Sequence, residues 1–486
     1  MAKTAENGKR KIVINPVTRI EGHGKVTIVM DENNNVEQAR FHIIEFRGFE
    51  RFAKGRFYWE APVMVQRLCG ICPVSHHLAG AKATDMLVGV DKIPVTAEKM
   101  RRLMHYGQVY QSHALHFFHL ASPDLLFGFD APVEKRNVIG VIEAYPEVAK
   151  KAVLMRKFGQ EVIKATGGKK VHPTGAIPGG INKNLTIEER DALKKDADTM
   201  VEWAIEAVEL CKKLTKENLE FLLNFGSFES NHVSIVRDDG CMDLYDGTLR
   251  AIDADGNKIF DKVQPAEYAD YIGEEVRPWT YMKFPHIRSL GKEKGWYRVG
   301  PLSRVNCCDF IDTELAEKAR QEFMALGNGK PVHASMAYHW ARCIEILHSA
   351  EKIRELLDDP DLQGTELVAE GKKREKGYAW IEAPRGTLFH HYEIDTETDQ
   401  ITLANLIVST TSNNEPMNRT VQVIADQHLK GKGESEITEG LLNHIEVGIR
   451  AYDPCLSCAT HALGKMRLHV ELVDAAGTLI DEKFRG

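Results

Sequence analysis

Two short stretches at opposite ends of the chain decide its interpretation: RLCGICPVSH at residues 67–76 and DPCLSCATH at residues 453–461. Each stretch carries a Cys-x-x-Cys pair, Cys69 with Cys72 and Cys455 with Cys458. Two thiols three positions apart can face one point from a single turn of backbone. Four thiolates form a soft ligand set that suits zinc, iron or nickel. The two pairs therefore predict one metal site assembled from both ends of the chain.

The number of residues between the two pairs limits which kinds of metal site are expected. A single Cys-x-x-Cys pair more often belongs to a structural zinc site or to a redox dithiol. Zinc ribbons place their pairs about 15 to 20 residues apart within a small module, whereas here nearly the whole chain separates them. Neither pair follows a strand in a βαβ pattern, as it would in a thioredoxin-like protein. The spacing favours a metal held at the centre of a large fold.

The composition is that of a globular protein, because 486 residues with 43% hydrophobic content can bury a large core. A net charge of -7 argues against a nucleic-acid partner, since phosphate binding requires clustered Lys and Arg. No uncharged apolar run reaches about 18 residues, so no membrane span is predicted. The N-terminus lacks the apolar region of a secretory signal. Nine cysteines in such a chain fit a reducing compartment, and a cytoplasmic location is expected.

The hydrophobic pattern predicts a mainly α fold with β additions (α+β) around a large helical core. Residues 11–46 alternate on both sides of a polar turn and predict an N-terminal β-hairpin region. Helical periodicity begins near residue 96 and is expected to end at Pro123. A capping box of Thr186 and Glu189 opens another long helix. Further helices are predicted at 313–326, 334–357 and 438–450.

The segment from about residue 228 to 300 differs from the helical parts. Short alternating runs and Asp-Gly turns return there, and they predict a β-rich insertion on the surface. No repeat, low-complexity tract or Pro/Ser-rich linker divides the chain. Residues 1–461 are therefore predicted to form a single domain.

The two cysteine motifs resemble the signature motifs of nickel–iron hydrogenase large subunits. The resemblance extends to RIEGH at 19–23, RGFE at 47–50, HP at 172–173, PGG at 178–180, GPLSR at 300–304 and EAPRG at 382–386. The residues around the motifs are most similar to the cytoplasmic NAD-reducing (bidirectional) type. This resemblance implies the hydrogenase large-subunit fold, with 1–461 as the catalytic domain, and reversible heterolytic cleavage of H2.

The resemblance also implies how the four cysteines are used. All four would bind nickel, and Cys72 and Cys458 would also bridge to an iron that carries carbonyl (CO) and cyanide (CN) ligands. Cys69 and Cys455 would be terminal on nickel. Bridging thiolates hold two soft metals close together, while terminal thiolates remain available as bases.

Further side chains are expected around this Ni-Fe centre by the same resemblance. Arg385 would lie over the open face of the metals and pair with Asp453, while Pro384 and Thr410 would face the diatomic ligands. A guanidinium stays charged and donates hydrogen bonds, which suits both cyanide anchoring and polarisation of H2. His76 would donate a hydrogen bond toward a bridging sulfur. Without the motifs, Arg385 would be interpreted as an ion pair in a hairpin loop and His76 as a core histidine.

Two carboxylates have implied roles next to the metals. Glu21 is the expected first proton acceptor, because a carboxylate desolvated beside a thiolate has the raised pKa that proton exchange near neutral pH requires. Taken alone, Glu21 fits a solvated strand position equally well. Glu50, the backbone carbonyl of Leu406 and His461 would hold a Mg²⁺ ion; the oxygen ligands suit that hard cation better than the histidine does.

The chain departs from the family pattern at one position. Family members often carry an aspartate just before the histidine that aligns with His113, and this chain has Ser112 there. The hydrogen bonding around Arg385 is therefore expected to differ. The remaining cysteines show no ligand spacing and are interpreted as buried thiols: Cys211, Cys241, Cys307, Cys308 and Cys343.

Electrons are expected to leave through other polypeptides, because the chain has neither a dinucleotide fingerprint nor a further cysteine set for a cluster relay. The resemblance implies a hetero-oligomer with an obligate iron–sulfur small subunit, joined by diaphorase-type NAD and flavin subunits. NAD and the iron–sulfur clusters would then lie on those partners, and H2 and protons would be the substrates. Two alternatives stay open: the same centre serving NADP, a flavin-type cofactor or ferredoxin, and a metal-free or zinc-bound structural homologue.

Residues 462–486 follow the second motif, although this motif lies at the mature C-terminus in hydrogenases of this type. A maturation endopeptidase is therefore expected to remove them as a C-terminal processing extension after nickel insertion. Cys455, Cys458 and His461 must be drawn inward to reach their metals, and the trailing residues would have to thread out of the domain centre. The extension has a strand–turn–strand pattern, so the alternative is a permanent hairpin.

Overall fold

The computed structural model describes residues 3–4, 9–460, 468–473 and 479–485 of the chain. Its α-helices are, in chain order, α1 Phe49–Ala53, α2 Ala61–Met64, α3 Pro73–Leu87, α4 Val95–Leu115, α5 Ser122–Phe127, α6 Val138–Ala144, α7 Pro146–Gly167, α8 Ile187–Glu217, α9 Leu219–Asn224, α10 Tyr268–Tyr271, α11 Gly291–Lys294, α12 Pro301–Cys307, α13 Glu314–Met324, α14 Ala337–Asp358, α15 Ser409–Ser412, α16 Asn414–His428 and α17 Glu439–Ala451.

The strands are shorter and gather in several small sheets. They are, in chain order, β1 Lys3–Thr4, β2 Arg10–Ile14, β3 Gly24–Met30, β4 Val36–Ile43, β5 Ala176–Ile177, β6 Gly180–Ile181, β7 Asn231–Val236, β8 Thr248–Ile252, β9 Lys258–Val263, β10 Ile272–Glu275, β11 Phe284–Ile287, β12 Tyr297–Arg298, β13 Lys376–Ala383, β14 Gly386–Ile394, β15 Ile401–Ile407, β16 Leu468–Val473 and β17 Leu479–Arg485.

The long helices form the centre of the protein. Helix α4 packs against α7 and α14, and α14 also packs against α8. Both α4 and α14 are buried on almost every side, as expected of helices enclosed by other elements. Helix α8 instead buries one face, whose residues recur at spacings of three and four. The architecture is the mainly helical one with β additions that the sequence predicts.

The ends of two helices test the sequence-based boundaries. Thr186 Oγ1 accepts from Glu189 N over 3.1 Å and Glu189 Oε2 accepts from Thr186 N over 3.1 Å, so the predicted capping box begins α8. The expectation that Pro123 ends the preceding helical path is wrong. After α4, residues 116–121 form a π-helical segment, and Pro123 lies in the first turn of α5. A proline is tolerated in a first turn because the N–H that it lacks has no partner within the helix.

The N-terminal sheet contains the predicted hairpin, formed by the antiparallel pair β3 and β4, and adds β2 and β1 on one side. The other edge of β4 is covered by α16. Ala39 N donates to Gln422 Oε1 over 2.7 Å, and Phe41 N donates to Asn418 Oδ1 over 2.8 Å. These side chains complete the backbone hydrogen bonds of an edge strand that would otherwise be open to pairing.

Strands do form between residues 228 and 300, as predicted, but their placement differs from the expectation. β7 and β8 are buried along almost their whole length. They share an apolar cluster with the sheet of β13, β14 and β15, in which Val233 and Leu249 pack with Trp380 and Phe389. The prediction of a surface excursion is wrong for these two strands, because they form an internal layer against that sheet.

Of the antiparallel meander of β13, β14 and β15, only a hairpin loop at Arg385 is considered on sequence grounds. Ala383 pairs with Gly386, so Pro384 and Arg385 form the two-residue turn between β13 and β14. Helix α3 packs against both strands. Since α3 begins at Pro73, directly after the first cysteine pair, the meander brings its turn next to the first motif.

The C-terminal extension is described only in part. β16 and β17 pair antiparallel, which agrees with the strand–turn–strand pattern of the sequence, whereas residues 461–467 and 474–478 lie outside the described residues. In the part of the chain that the structure describes, no helix combines the length and apolarity needed to cross a membrane.

Candidate metal centre

Four thiols from the two ends of the chain meet inside the protein. Cys69, Cys72, Cys455 and Cys458 are all buried, and their Sγ atoms lie within 4.8 Å of one another. Between the pairs, Cys69 Sγ lies 3.3 Å from Cys455 Sγ and Cys72 Sγ lies 3.7 Å from Cys458 Sγ. The fold therefore brings the two predicted half-sites together around one point.

The first half-site is a loop between two helical segments. Cys69 follows a 3₁₀ turn at residues 65–68, and Cys72 precedes Pro73, the first residue of α3. The N–H groups of Ile71 and Cys72 donate to Cys69 Sγ over 3.2 and 3.3 Å. Hydrogen bonds from the other three thiols hold the pKa of Cys69 well below its usual value. This sulfur is therefore stabilised as a thiolate.

The second half-site follows α17 and is held by the N-terminal segment. The chain turns at Asp453, which has a φ of 52°, and continues through Pro454 into the cysteines. Glu21 N donates to Pro454 O over 3.4 Å, and Leu456 N donates to Glu21 O over 3.0 Å. The carboxylate of Glu21 accepts from Ser457 N over 3.1 Å and remains partly exposed. The predicted proton acceptor thus lies against the backbone that joins the second pair of cysteines.

The chemistry of the cluster favours a metal. Burial raises the pKa of Cys455 and of Cys458 well above the usual value for a thiol. Four buried thiols cannot all ionise without a compensating cation, and a bound metal displaces their protons. The donor set fits nickel and iron, which are soft enough to prefer sulfur ligands.

Arg385 lies beside this cluster and is only 3% exposed. Its Nε donates to Asp453 O over 2.6 Å and its Nη2 donates to Asp453 Oδ1 over 3.0 Å, so the predicted pairing is present. Burial alone would lower the pKa of this guanidinium, but Asp453 and the nearby thiols hold it well above its usual value. Within the described residues, Arg385 Nη1 and Asp453 Oδ2 are buried without a hydrogen-bond partner. A free, charged donor beside four thiols fits an anionic ligand such as cyanide.

The turn that carries Arg385 is held from behind by Arg304. Arg304 Nη1 donates to Glu382 Oε2 over 2.7 Å, and Nη2 donates to Pro384 O over 3.0 Å. Arg304 also pairs with Glu345 of α14, which contacts His113 Nε2 over 2.8 Å. The side chains of Arg304, Glu382, Glu345 and His113 are all 0% exposed. This buried network fixes the position of the turn relative to α4 and α14.

Sequence reasoning missed this supporting network. From the sequence, Arg304 and Glu382 are included only as members of the GPLSR and EAPRG motifs, without a role, and Glu345 is not singled out. The signal that could have found Glu345 is a carboxylate on a helix whose other faces are apolar, since a charge in such a place needs a partner. Arg304 keeps the pKa of Glu345 low, at about 2, against the effect of burial.

Three other predicted side chains are buried near the cluster. Thr410 Oγ1 accepts from Cys455 N over 3.0 Å, and Pro384 is the residue before Arg385 in the turn. His76 lies in the first turn of α3, where its Nδ1 is 3.4 Å from His390 Nε2. The proposed hydrogen bond from His76 to a sulfur stays a prediction.

Ser112 stands where family members often carry an aspartate. Its hydroxyl is buried and has no hydrogen-bond partner among the described residues, and the same holds for Arg385 Nη1. The expected difference in the hydrogen bonding around Arg385 stays a prediction.

The predicted Mg²⁺ ligands are only partly brought together. Glu50 Oε1 accepts from Leu406 N over 2.9 Å, while His461 lies outside the described residues. The ammonium of Lys283 lies 3.2 and 3.4 Å from the two carboxylate oxygens of Glu50 and 3.2 Å from Glu274. Since both Glu50 oxygens already accept from donors, this arrangement does not fit Mg²⁺ at Glu50 unless Lys283 moves away.

Comparisons with known proteins agree with this geometry. The Nickel-dependent hydrogenase family model matches residues 47–129 and 229–461, and a HoxL-like model matches residues 11–46. The chain is 49% identical to the NAD-reducing hydrogenase HoxS subunit beta of Cupriavidus necator, over 98% of this chain and 100% of that protein. It is 45% identical to one polypeptide of the F420-non-reducing hydrogenase vhc of Methanococcus voltae, over 94% of this chain and 96% of that protein.

A solved structure is similar over most of the chain. The crystal structure of an NAD⁺-reducing NiFe hydrogenase in the H2-reduced state superposes with a TM-score of 0.91 and 55% sequence identity, covering 94% of this chain and 100% of that one. The expected large-subunit fold is thereby confirmed. With its four cysteines gathered in one buried cluster, and with these matches in sequence and fold, the chain belongs to the nickel-dependent hydrogenase family.

Proposed function

We propose that this chain is the catalytic subunit that cleaves H2 reversibly and heterolytically at a nickel–iron centre held by Cys69, Cys72, Cys455 and Cys458. The observation that carries the proposal is the buried cluster of four thiols within 4.8 Å of one another. When bound, the two metals supply the Lewis acidity and the redox capacity for the reaction. The residues of this chain supply the ligands, the local charge and the proton path.

The cysteines divide the work between holding metals and holding a proton. By resemblance to the family, all four cysteines would hold the metals, with Cys72 and Cys458 as the ligands shared between them and Cys69 and Cys455 as terminal ligands. Cys455 is the terminal thiol that we assign as proton acceptor, because its own N–H donates to Thr410 Oγ1 and not to a sulfur. Cys69 is the weaker base, since two backbone N–H groups already donate to its sulfur.

Arg385 supplies fixed positive charge on one side of the cluster. Asp453 binds two nitrogens of the guanidinium, so the group cannot rotate and its third nitrogen, Nη1, keeps a fixed direction. A preorganised charged donor in a buried site acts strongly, because no water must be displaced during the reaction. We assign Arg385 to the cyanide ligand and to H2, with Pro384 and Thr410 lining the space for the diatomic ligands.

Glu21 is proposed to carry protons between Cys455 and solvent. Its backbone pairs with the backbone on both sides of Cys455, and its side chain is partly exposed. A carboxylate that touches both the interior and the surface can exchange protons in either direction. His76, buried one helical turn after Cys72, is proposed to orient a bridging sulfur.

An iron–sulfur partner subunit is proposed to dock on the face where the residues beside Cys69 are exposed. Arg67 and Gly70, on either side of Cys69 in the sequence, are exposed. The preceding segment exposes several large aromatic side chains: Phe46 at 44%, Phe52 at 51%, Phe57 at 42% and Trp59 at 45%. Exposed apolar groups gathered in one segment favour a protein interface. Electrons would leave the nickel by the shortest route through this face.

NAD is the acceptor that we propose, reached through diaphorase-type subunits in the cytoplasm. Support comes from two relatives that are named as NAD-reducing, at 49% and 55% identity. The second candidate is a different acceptor at the same centre, because a relative named F420-non-reducing hydrogenase is nearly as similar, at 45% identity. Supplying the purified assembly with H2 and, in turn, NAD, NADP or ferredoxin discriminates between them.

The assignment of the centre is tested by metal analysis and infrared spectroscopy of the purified assembly. We expect one nickel per chain together with bands from iron-bound carbonyl and cyanide, which have almost no other source in a protein. Zinc at the four cysteines, or no metal, would instead support the structural homologue. Magnesium is measured in the same sample, since the Mg²⁺ predicted beside Glu50 stays a prediction.

A further inference from the structure

Two glutamines of α4 converge on the loop between the first two cysteines. Gln108 Nε2 and Gln111 Nε2 donate to the same atom, Ile71 O, over 2.8 and 2.9 Å. The two residues are three positions apart, so they share one face of the helix. None of the steps assigned above to the cysteines, Arg385 or Glu21 uses them.

These two amides are deeply buried. Gln108 is 0% exposed and Gln111 is 4% exposed. Burying an amide is unfavourable unless its polar atoms find partners, yet Gln108 Oε1 has no partner among the described residues. An apolar side chain would fill the same space without this cost. The arrangement therefore favours a specific need for two donors on the Ile71 carbonyl.

The Ile71 carbonyl belongs to the same peptide unit as the N–H of Cys72. That N–H donates to Cys69 Sγ over 3.3 Å. Hydrogen bonds accepted by a peptide carbonyl polarise the N–H of the same unit and strengthen its own hydrogen bond. A continuous series of hydrogen bonds thus connects each glutamine amide, through one peptide unit, to the sulfur of Cys69.

The second half-site has no such series of hydrogen bonds among the described residues. Cys455 N donates to Thr410 Oγ1 and not to a sulfur. In the described structure, Cys455 Sγ has hydrogen bonds only with Cys69 and Cys458. The two sulfurs that we assign as terminal ligands therefore differ in how much negative charge their surroundings withdraw.

We propose that Gln108 and Gln111 are positioning residues that tune the ligand Cys69 through the peptide unit between Ile71 and Cys72. The proposal rests on the proposed nickel centre. Hydrogen bonds to a coordinating sulfur withdraw electron density and thereby set the reduction potential of the metal. Because the two glutamines act on Cys69 and not on Cys455, they would make the two terminal sulfurs unequal as donors to the metal.

The test replaces both donors in the complete assembly with the near-isosteric Gln108→Met and Gln111→Met. Removing them leaves Cys69 more electron-rich, so we expect the nickel reduction potential to become more negative and the iron-bound carbonyl band to move to lower frequency. Each single variant should show a smaller shift in the same direction. A double variant that retains nickel but keeps the original potential and carbonyl band would overturn the proposal.

Tyr110→Phe is the matched control. Tyr110 lies on the same helix, is 0% exposed and donates to Met200 O over 3.2 Å, away from the cysteines. This variant loses one buried hydrogen bond, so its thermal stability should fall by an amount comparable with that of a single glutamine variant. We expect its potential and carbonyl band to stay unchanged, and an equal shift in this control would also overturn the proposal.

Amide hydrogen exchange separates this proposal from that of the nickel centre. Nickel in the unsubstituted assembly is measured first, because its absence contradicts the proposed function alone. In the metal-free full-length chain, the Cys72 amide should exchange faster in the double variant than in Tyr110→Phe. Equal exchange in the two variants would refute the link between the glutamines and the Cys72 N–H, whatever metal the cluster binds.

Discussion

The two half-sites share the Cys-x-x-Cys spacing, but the fold builds them in opposite ways. The first is a loop whose carbonyls accept side-chain donors from distant segments. Arg47 Nη1 donates to Leu68 O over 2.9 Å, and His172 Nε2 contacts Cys69 O over 3.2 Å, in addition to the two glutamines on Ile71 O. This loop lies at the start of α3 and close to the surface.

The second half-site is held by backbone pairing with Glu21, to which the side chains of Thr410, Glu21 and Arg385 add hydrogen bonds. It pairs with Glu21 in strand fashion, and Gly22 allows this approach, because with its φ of 84° an added Cβ would lie 2.8 Å from Leu456 Cβ. Asp453 adopts a left-handed conformation and binds Arg385 from the meander. The first half-site is thus a loop held by side chains from other segments. The second, which we call the closing half-site, completes the centre when the end of the chain docks by backbone pairing.

Removing a sulfur from the closing half-site should have the largest effect. Cys458→Ser is expected to abolish assembly of both metals, because a hydroxyl is a much harder and poorer ligand than a thiolate. Elemental analysis of the purified assembly should find neither nickel nor organometallic iron. Cys343→Ser is the control, since Cys343 is equally buried but lies on α14 outside the cluster. Nickel retained by Cys458→Ser would contradict the bridging role.

The closing half-site should also depend on cleavage of the chain. We expect active enzyme to end at His461, since Thr460 is 0% exposed and a free chain end there would let the last residues of the motif fold inward. Intact-mass measurement should therefore show an active polypeptide shorter by the 25 residues from 462 to 486. Uncut chain should accumulate when nickel is withheld. A fully active chain that still ends at Gly486 would favour the permanent hairpin.

Glu21 contacts the closing half-site but is not one of the predicted metal ligands. Its substitution should therefore separate proton transfer from metal binding. Glu21→Gln keeps the shape and the backbone pairing but cannot titrate, so the metals should stay while hydrogen–deuterium exchange falls by about 100-fold or more. Glu45→Gln is a suitable control, because Glu45 is an exposed carboxylate that pairs with His23, two residues from Glu21. Normal exchange in Glu21→Gln would exclude Glu21 from the proton path.

Substitution of Arg304 tests whether the buried ion-pair network supports the turn that carries Arg385 and thereby the closing half-site. Arg304→Met would leave Glu345 and Glu382 buried without their cation, and removing one partner of a buried ion pair costs about 3–5 kcal/mol. We expect the free energy of unfolding to fall by that amount. Arg374→Met should leave the free energy of unfolding almost unchanged, since Arg374 and Asp91 form an ion pair on the surface, where water screens their charges. Equal losses in chemical denaturation would show that the buried network does not hold the turn.

Much of this molecule could be predicted from sequence where the signal is local. The capping box of Thr186 and Glu189 begins α8, and the alternation in residues 24–43 forms the hairpin of β3 and β4. The cysteine motifs identified all four members of the cluster, because Cys-x-x-Cys spacing is itself a local geometric constraint.

The parts that were not predictable depend on distant partners. Strand β14 is buried on both faces over most of its length, so it lacks the alternation that reveals a half-buried strand. The pairing of Arg304 with Glu345 joins residues 41 positions apart on two different helices. The position of Lys283 against Glu50 spans 233 residues. No periodicity in the sequence encodes such contacts.

The smallest expected effect concerns the cation that lies beside Glu50. Glu50 precedes the first half-site in the sequence, and His461, the other predicted side-chain ligand, follows the second half-site. Lys283 supplies the positive charge between Glu50 and Glu274. Burial raises the pKa of Glu274, and removing the ammonium would raise it further. In Lys283→Met the two carboxylates face each other without a cation, so a divalent ion should bind more tightly there.

The magnitude of this effect follows from linkage between binding and folding. At a Mg²⁺ concentration about ten times its dissociation constant, binding stabilises the fold by about 1.4 kcal/mol. We therefore expect Mg²⁺ to raise the thermal midpoint of Lys283→Met by a few degrees and that of the unsubstituted protein hardly at all. The variant that also carries Glu50→Gln should lose the response. If the unsubstituted protein already contains one Mg²⁺ per chain, Lys283 is displaced in the assembled enzyme, and the ion joins the two half-sites as the sequence predicts.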